Sequence, residues 1–278
     1  LYFAIFKYLP MFGIVIAFQD YSPGKGFLGS EFVGLDNFVE FLTNPSASRT
    51  ILNTLRLNFF SLLVEFPAPI ILALLLNEVR CGPFKKTVQT FSYMPHFISL
   101  VVVCGILTDF SSSIGVFNDI AELLGFERQS RLGNVDLYLP LYIGSSLWQG
   151  VGWGSILYLA TLSGTDPNLY EAAVIDGAGR WKQMLYVTLP TIVPIMVLQL
   201  IMRIGSMMST GAEKTILLYS PLIYEKADII SSFVYRRGLQ EMDFSFGSAV
   251  GLFNSVINLI LLVSANWFAK KISGESMW

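Results

Sequence analysis

Apolar residues gather into about six long runs separated by polar stretches, and most runs reach the 18 or more positions needed to cross roughly 30 Å of hydrocarbon. Backbone groups in lipid must be satisfied within their own segment, so the runs predict helices. They fall at about Leu1 to Gln19, Asn53 to Glu78, Val88 to Leu107, Leu137 to Leu162, Leu185 to Met208 and Phe246 to Phe268. Pro10 and Gly13 interrupt the first, and Pro67 and Pro69 kink the second. Strands of about ten alternating residues, the mark of a membrane barrel, do not occur. The pattern predicts an all-α integral membrane protein.

Two polar stretches carry a helical period of their own. Leu35, Phe38, Val39 and Leu42 recur at helical spacing, which predicts a short amphipathic helix lying at the interface. The stretch from Ser163 to Met184 is also amphipathic. Asp20 to Gly26 is turn chemistry, Arg80 to Lys86 a tight basic loop, Ser111 to Asp136 a long acid-leaning stretch, and some 35 residues separate the last two runs. These boundaries divide the chain into 1–49, a first span with an interfacial segment, and 50–278, a core with five spans and a short helical segment at 166–178.

Only 14% of the residues are charged, against about 25% in soluble domains, which strengthens the membrane reading. A net charge of −2 without a basic stripe argues against nucleic acid as a partner. Arg80, Lys85, Lys86, Arg180, Lys182, Lys270 and Lys271 hug run ends on one side. On the other side Arg128, Arg131, Lys214 and their neighbours are diluted by acids, so the first set predicts the cytoplasmic face. Cys81 lies in a loop and Cys104 in an apolar run, which makes a disulfide between them unsuitable. The chain opens at Leu1 inside an apolar stretch without an initiator Met, which reads as a missing cytoplasmic N-terminal segment; no signal peptide is visible.

The most informative segment is Asp166-Pro-Asn-Leu-Tyr-Glu-Ala-Ala-Val-Ile-Asp-Gly-Ala178. Asp166 suits an N-cap and Pro167 the first helical position. The helix should stop near Asp176, with Gly177 in the left-handed cap and a second helix starting near Arg180. Leu169, Ala172 and Ala173 share one side, where small alanines admit a partner's backbone, while Glu171 and Asp176 offer it charge. A short helix fastened between two spans can pass a push from a soluble motor to both. A simple loop with incidental helix is the competing description.

Glu171-Ala-Ala-Val-Ile-Asp-Gly-Ala178, followed by Leu189-Pro190, resembles the Glu-Ala-Ala coupling motif of binding-protein-dependent ABC importer permeases, of the type I, maltose-permease-like kind. The resemblance covers the whole chain: Tyr21 to Gly26, Gly34 to Phe38, Asn53-Thr-Leu55, Ala73 to Glu78 and Met277-Trp278 are similar to the polysaccharide and oligosaccharide branch common in Gram-positive bacteria. It implies a multi-pass permease of the bacterial plasma membrane, with coupling helix and C-terminus in the cytoplasm. The implied partners are a second permease in a heterodimer, two cytoplasmic ATPase subunits, an extracellular solute-binding protein and an oligosaccharide substrate. Glu171, Ala172, Ala173, Asp176, Gly177 and Ala178 would then meet an ATPase. No cofactor is expected in this chain, since no phosphate-binding Gly-x-x-x-x-Gly-Lys-Ser/Thr occurs; ATP and magnesium belong to the partners.

Trp148-Gln-Gly-Val-Gly-Trp153 lies inside the fourth run, where glycines thin the helix beside two indoles and an amide. Sugars stack C–H faces on aromatic rings and need polar partners for their hydroxyls, so Trp148, Gln149 and Trp153 are path candidates. By position Trp148 also resembles a sugar-stacking tryptophan of the maltose-type permeases. Packing between helices explains the same residues without a sugar. Arg203 lies well inside the fifth run, where an uncompensated guanidinium costs at least about 2.5 kcal/mol, so it should face a cavity or an acid. The resemblance places Arg203, Ser206 and Met207 on the path, although the asparagines found there in maltose-type permeases are absent. Arg56 and Glu65 stand about 13 Å apart along one helix and cannot pair with each other. Asn254 and Asn258 share a face that suits interhelical hydrogen bonds, and His96, the only histidine, suits packing rather than metal or triad chemistry.

Two other classes compete. An autonomous secondary transporter or channel would use intramembrane carboxylates and inverted repeats, and Glu65 is the main such carboxylate. An intramembrane protease would need a nucleophile motif beyond the lone His96.

Overall fold

The computed structural model describes residues 1–209 and 211–278. Helices dominate, and the one sheet among the described residues pairs Gln19 with Phe32 and Asp20 with Glu31 in antiparallel register, closing the Tyr21–Gly26 turn. Among the described residues four helices are long and apolar enough to cross a membrane: Pro45–Glu78, Leu100–Leu123, Arg180–Gly205 and Phe244–Ser273. The expected spans at Leu1 to Gln19 and Leu137 to Leu162 are helical but stand outside that set. Ala4–Phe18 is apolar yet short. Tyr138–Ser163 is 26 residues long, but Ser145, Ser146, Gln149 and a run of glycines dilute its apolar character.

Local chemistry explains most boundaries. The second span starts earlier than its apolar run, at Pro45, because the Asn44 side chain accepts from the Ser46 amide at 2.8 Å and caps the first turn. Phe66 interrupts it just before Pro67, where the ring removes a backbone donor. The third span departs from expectation. Instead of one helix from Val88 to Leu107 there is a helix Gly82–Tyr93, a tight turn Met94–Phe97 and a new helix Leu100–Ser111. Pro95 starts the break, Ile98 is extended, and Ser99 caps the new helix by accepting from the Val102 amide.

The chain's contacts form two compact units. One contains Leu1–Asn58, Leu132–Tyr138 and Gly205–Val263. Its core joins Phe41, Met208, Ile230, Phe233, Phe246 and Val250. Phe41 meets Phe246 at 6.1 Å and Phe253 at 5.4 Å, edge to face. The amphipathic helix, Asp36–Thr43, is therefore anchored by Phe41, whereas Leu35, Val39 and Leu42 of the expected stripe are exposed. The stretch expected as a loop after Met208 is a chain of short helices within 212–240. Asn53 stitches it down by donating to the Glu225 and Asp228 carbonyls at 2.9 and 3.0 Å, and Thr54 accepts from the Ile230 amide at 2.9 Å. Asn254 and Asn258 hold the turn at Met208 from the last helix, at 3.0 and 2.9 Å.

The other unit contains Phe59–Arg131, Leu139–Ile204 and Ser264–Trp278. Ile70, Ala73, Tyr158, Leu162 and Ile192 make its core. Gly152 and Gly154 permit close helix contact: a Cβ at Gly152 would collide with the Ser92 carbonyl, and one at Gly154 would stand 3.0 Å from Pro69. Within 111–136, expected as a polar stretch, a helix Val116–Leu123 is pinned by fully buried Asn118, which donates to the Ser112 and Gln129 carbonyls at 2.6 and 2.7 Å.

Candidate coupling and substrate-path sites

The segment from Asp166 to Ala178 forms a helix over Pro167–Ile175. Asp166 caps it by accepting from the Asn168 amide at 3.0 Å, with Pro167 in the first turn. At the other end Gly177 adopts φ +73°. The Ala178 amide donates to the Ala173 carbonyl at 2.8 Å and the Gly177 amide to Val174 at 3.0 Å, the paired bonds of a Schellman cap. A second helix follows at Arg180–Gln183, and Gln183 reaches back to the Ala178 carbonyl at 2.8 Å. The Tyr170 hydroxyl bonds Thr188 at 3.0 Å, fastening the short helix to the start of the next span. Sequence reasoning missed this tie, since a tyrosine eighteen positions from a threonine carries no periodic signal.

None of the helix's residues is buried. Glu171, Ala172, Asp176 and Gly177 are exposed, and Ala173 and Ala178 are half-buried. Ile175 is 86% exposed, and Val174, Leu169 and Trp181 beside it are exposed as well. The result is a doubly capped element with apolar side chains and two carboxylates exposed on its surface.

The path candidates separate on inspection. Trp148, Gln149 and Trp153 lie on the Tyr138–Ser163 helix. The Gln149 amide donates to the Ile98 carbonyl at 2.9 Å, satisfying an acceptor freed by the break in the third span. Trp153 stacks on His96, centroids 4.3 Å apart and planes within 5°, and meets Phe97 edge-on. Trp148 borders an apolar cavity and keeps 49% of its surface exposed. Ser206 and Met207 lie in the turn after Gly205, Ser206 exposed and Met207 half-buried.

Arg203 does find an acid. Its guanidinium donates to the Glu65 carboxylate, placed at the Phe66 joint of the second span. An acid 138 positions away could not be named from spacing alone. Removing one partner breaks a charge-assisted bond between two helices. Glu65→Gln should destabilise the protein by about 1.5–3 kcal/mol, and adding Arg203→Met should restore part of the loss. Thermal unfolding in detergent checks this: a double variant less stable than the single one would dismiss the pairing as a stabilising element.

Comparison with known proteins identifies a family pattern, described as the binding-protein-dependent transport system inner membrane component, over residues 65–274. The chain is 46% identical to Protein LplB of Bacillus subtilis (strain 168), covering 100% of this chain and 88% of that one. It is 45% identical to the polygalacturonan/rhamnogalacturonan transport system permease protein YteP of the same organism, covering 100% and 87%. A crystal structure of a bacterial ABC transporter involved in import of the acidic polysaccharide alginate contains a chain 41% identical, with TM-score 0.91, covering 98% of this chain and 92% of that one. A second structure, in complex with alginate pentasaccharide-bound periplasmic protein, matches at 40% identity and TM-score 0.91, covering 99% and 92%.

Proposed function

Since the chain belongs to the binding-protein-dependent transport system inner membrane components, we propose that it forms half of the translocation path for an oligosaccharide or polysaccharide delivered by an extracellular solute-binding protein. A second permease completes the path, and two cytoplasmic ATPase subunits drive it. This chain binds no nucleotide and catalyses no reaction; ATP and magnesium work in the ATPases. The Asp166–Ala178 element faces the cytoplasm and docks on one ATPase through Glu171, Ala172, Ala173, Asp176, Gly177 and Ala178.

One observation carries the reading: a short helix with capped ends stands exposed between two long helices, tied by Tyr170 to the foot of the next one. Nucleotide-driven closure of an ATPase moves such a lever as one piece and passes the displacement along the Arg180–Gly205 helix. The polysaccharide relatives support the choice of cargo. A proton or sodium relay through Glu65, as an autonomous transporter would need, is opposed by the commitment of that carboxylate to Arg203.

Two measurements test the assignment. The chain should co-purify with an ATPase, and uptake of labelled oligosaccharide should cease when that ATPase is inactivated; uptake into vesicles by this chain alone would refute the reading. For the path, Trp148→Ala should reduce uptake roughly two- to tenfold, the worth of one aromatic stacking contact, with assembly intact. Unchanged rate and sugar preference would leave Trp148 as a packing residue.

A further inference from the structure

An apolar slot of about 360 Å³ runs among the helices Leu100–Ser111, Val116–Leu123 and Tyr138–Ser163, bordered by Val103, Leu107, Phe110, Leu141, Gly144 and Trp148. A smaller cavity of about 230 Å³ shares Phe117 and Leu141 with it and has Arg131 in its wall. Among the described residues, Nε and Nη2 of Arg131 are shielded from solvent and have no hydrogen-bond partner. Asp119 and Glu122, on the Val116–Leu123 helix, are both engaged with Arg128 at 2.7 Å. Leaving a shielded charged donor unmade is expensive, so the arrangement calls for an anion from outside the chain.

The geometry gives that anion a tail. The Arg131 amide donates to the Ser111 carbonyl at 2.9 Å, which fixes the arginine at the end of the Leu100–Ser111 helix. From Phe110 back to Val103 the helix rises about 10 Å, and from Pro140 to Trp148 the neighbouring helix advances about 12 Å. The slot thus leads from the cation into the apolar part of the spans. Its lining is almost entirely carbon, and Ser145, its one hydroxyl, already donates to the Leu141 carbonyl at 2.6 Å. Inside the slot a saccharide would find no partners for its hydroxyls, whereas an alkyl chain needs none; Trp148 only borders it and is half exposed, which leaves that ring available to the path. Nε and Nη2 form a planar fork that matches two phosphate oxygens. We propose that this slot holds an acyl chain of an anionic phospholipid whose phosphate rests on Arg131. The inference depends on the chain lying in a membrane and not on what it transports.

The test uses the full chain in detergent, equilibrated with equal amounts of phosphatidylglycerol and phosphatidylcholine, with retained lipid counted by native mass spectrometry. Wild type should retain phosphatidylglycerol preferentially. Arg131→Gln should lower that retention about fivefold, the worth of one basic group facing an anionic lipid, and Arg131→Lys should lie between. Gly144→Leu should expel lipid of either head group; a Cβ there meets nothing within 4 Å, so the fold tolerates the addition. Equal retention of the two lipids by wild type, or undiminished phosphatidylglycerol on Arg131→Gln, would overturn the proposal. So would displacement of the lipid by an acidic oligosaccharide, or cross-linking of Gly144→Cys to the second permease in place of a lipid-borne probe.

Discussion

Replacing Gly177 with valine should abolish ATP-driven uptake while leaving the membrane spans folded. Gly177 sits at φ +73°, where a side chain costs about 1–2 kcal/mol and a β-branched one is worst placed. No atom lies within 4 Å of where its Cβ would stand, so the penalty is conformational rather than a clash. To relieve it the backbone must abandon the bonds from Ala178 to Ala173 and from Gly177 to Val174, releasing the lever's end from the Arg180–Gln183 turn. The helix is exposed and lies outside both hydrophobic cores, so global unfolding should barely shift. Gly177→Asn, which tolerates the left-handed region, should retain more activity than Gly177→Ala, and Ala more than Val. Glu171→Lys should uncouple by a different route, reversing an exposed charge at about ±0.5 kcal/mol of stability. Uptake at the normal rate in both Gly177→Val and Glu171→Lys would remove the coupling assignment.

Asp228→Ala should destabilise its unit by about 3–5 kcal/mol, the cost of breaking a buried ion pair from one side. Asp228 is fully buried and accepts from Arg236 through both oxygens, at 3.2 and 2.7 Å, and from the Ser232 hydroxyl at 2.8 Å. Arg236 also stacks over the Tyr224 ring at 4.5 Å. Burial alone pushes the Arg236 guanidinium down, but its bonds to Asp228 and Tyr219 outweigh that and hold it above its ordinary value. Deleting Asp228 removes that support, but a guanidinium's intrinsic hold on its proton keeps Arg236 charged, so the loss cannot be escaped by deprotonation. Thermal unfolding and limited proteolysis across 211–243 should both report the change, and Asp228→Asn combined with Arg236→Gln should recover part of it. A midpoint unaltered by Asp228→Ala would show that the ion pair contributes nothing net.

What the sequence disclosed depended on how local the determining chemistry is. The capped helix at Pro167–Ile175 could be read from residue types alone, because an Asp-Pro start and a Gly stop act within one turn of chain. The Tyr138–Ser163 helix likewise matched its run within a residue at each end. The third span was misjudged because its apolar character continues across Pro95 and Ser99, and hydropathy outvoted two local stop signals. In the 212–240 helices no segment is long enough to show a period, and their form is imposed by Asn53, Thr54 and the Asp228 cluster from elsewhere in the fold. At the path candidates, residue type suggested sugar chemistry, while position gave the Gln149 amide to Ile98 and the Trp153 ring to His96. Those partners are set by packing, to which composition is blind.

The glycine at 152 has a mechanical corollary. With the Ser92 carbonyl filling the space a methyl group would need, the two backbones mesh like teeth without clearance. They can part or travel together but cannot slip past one another.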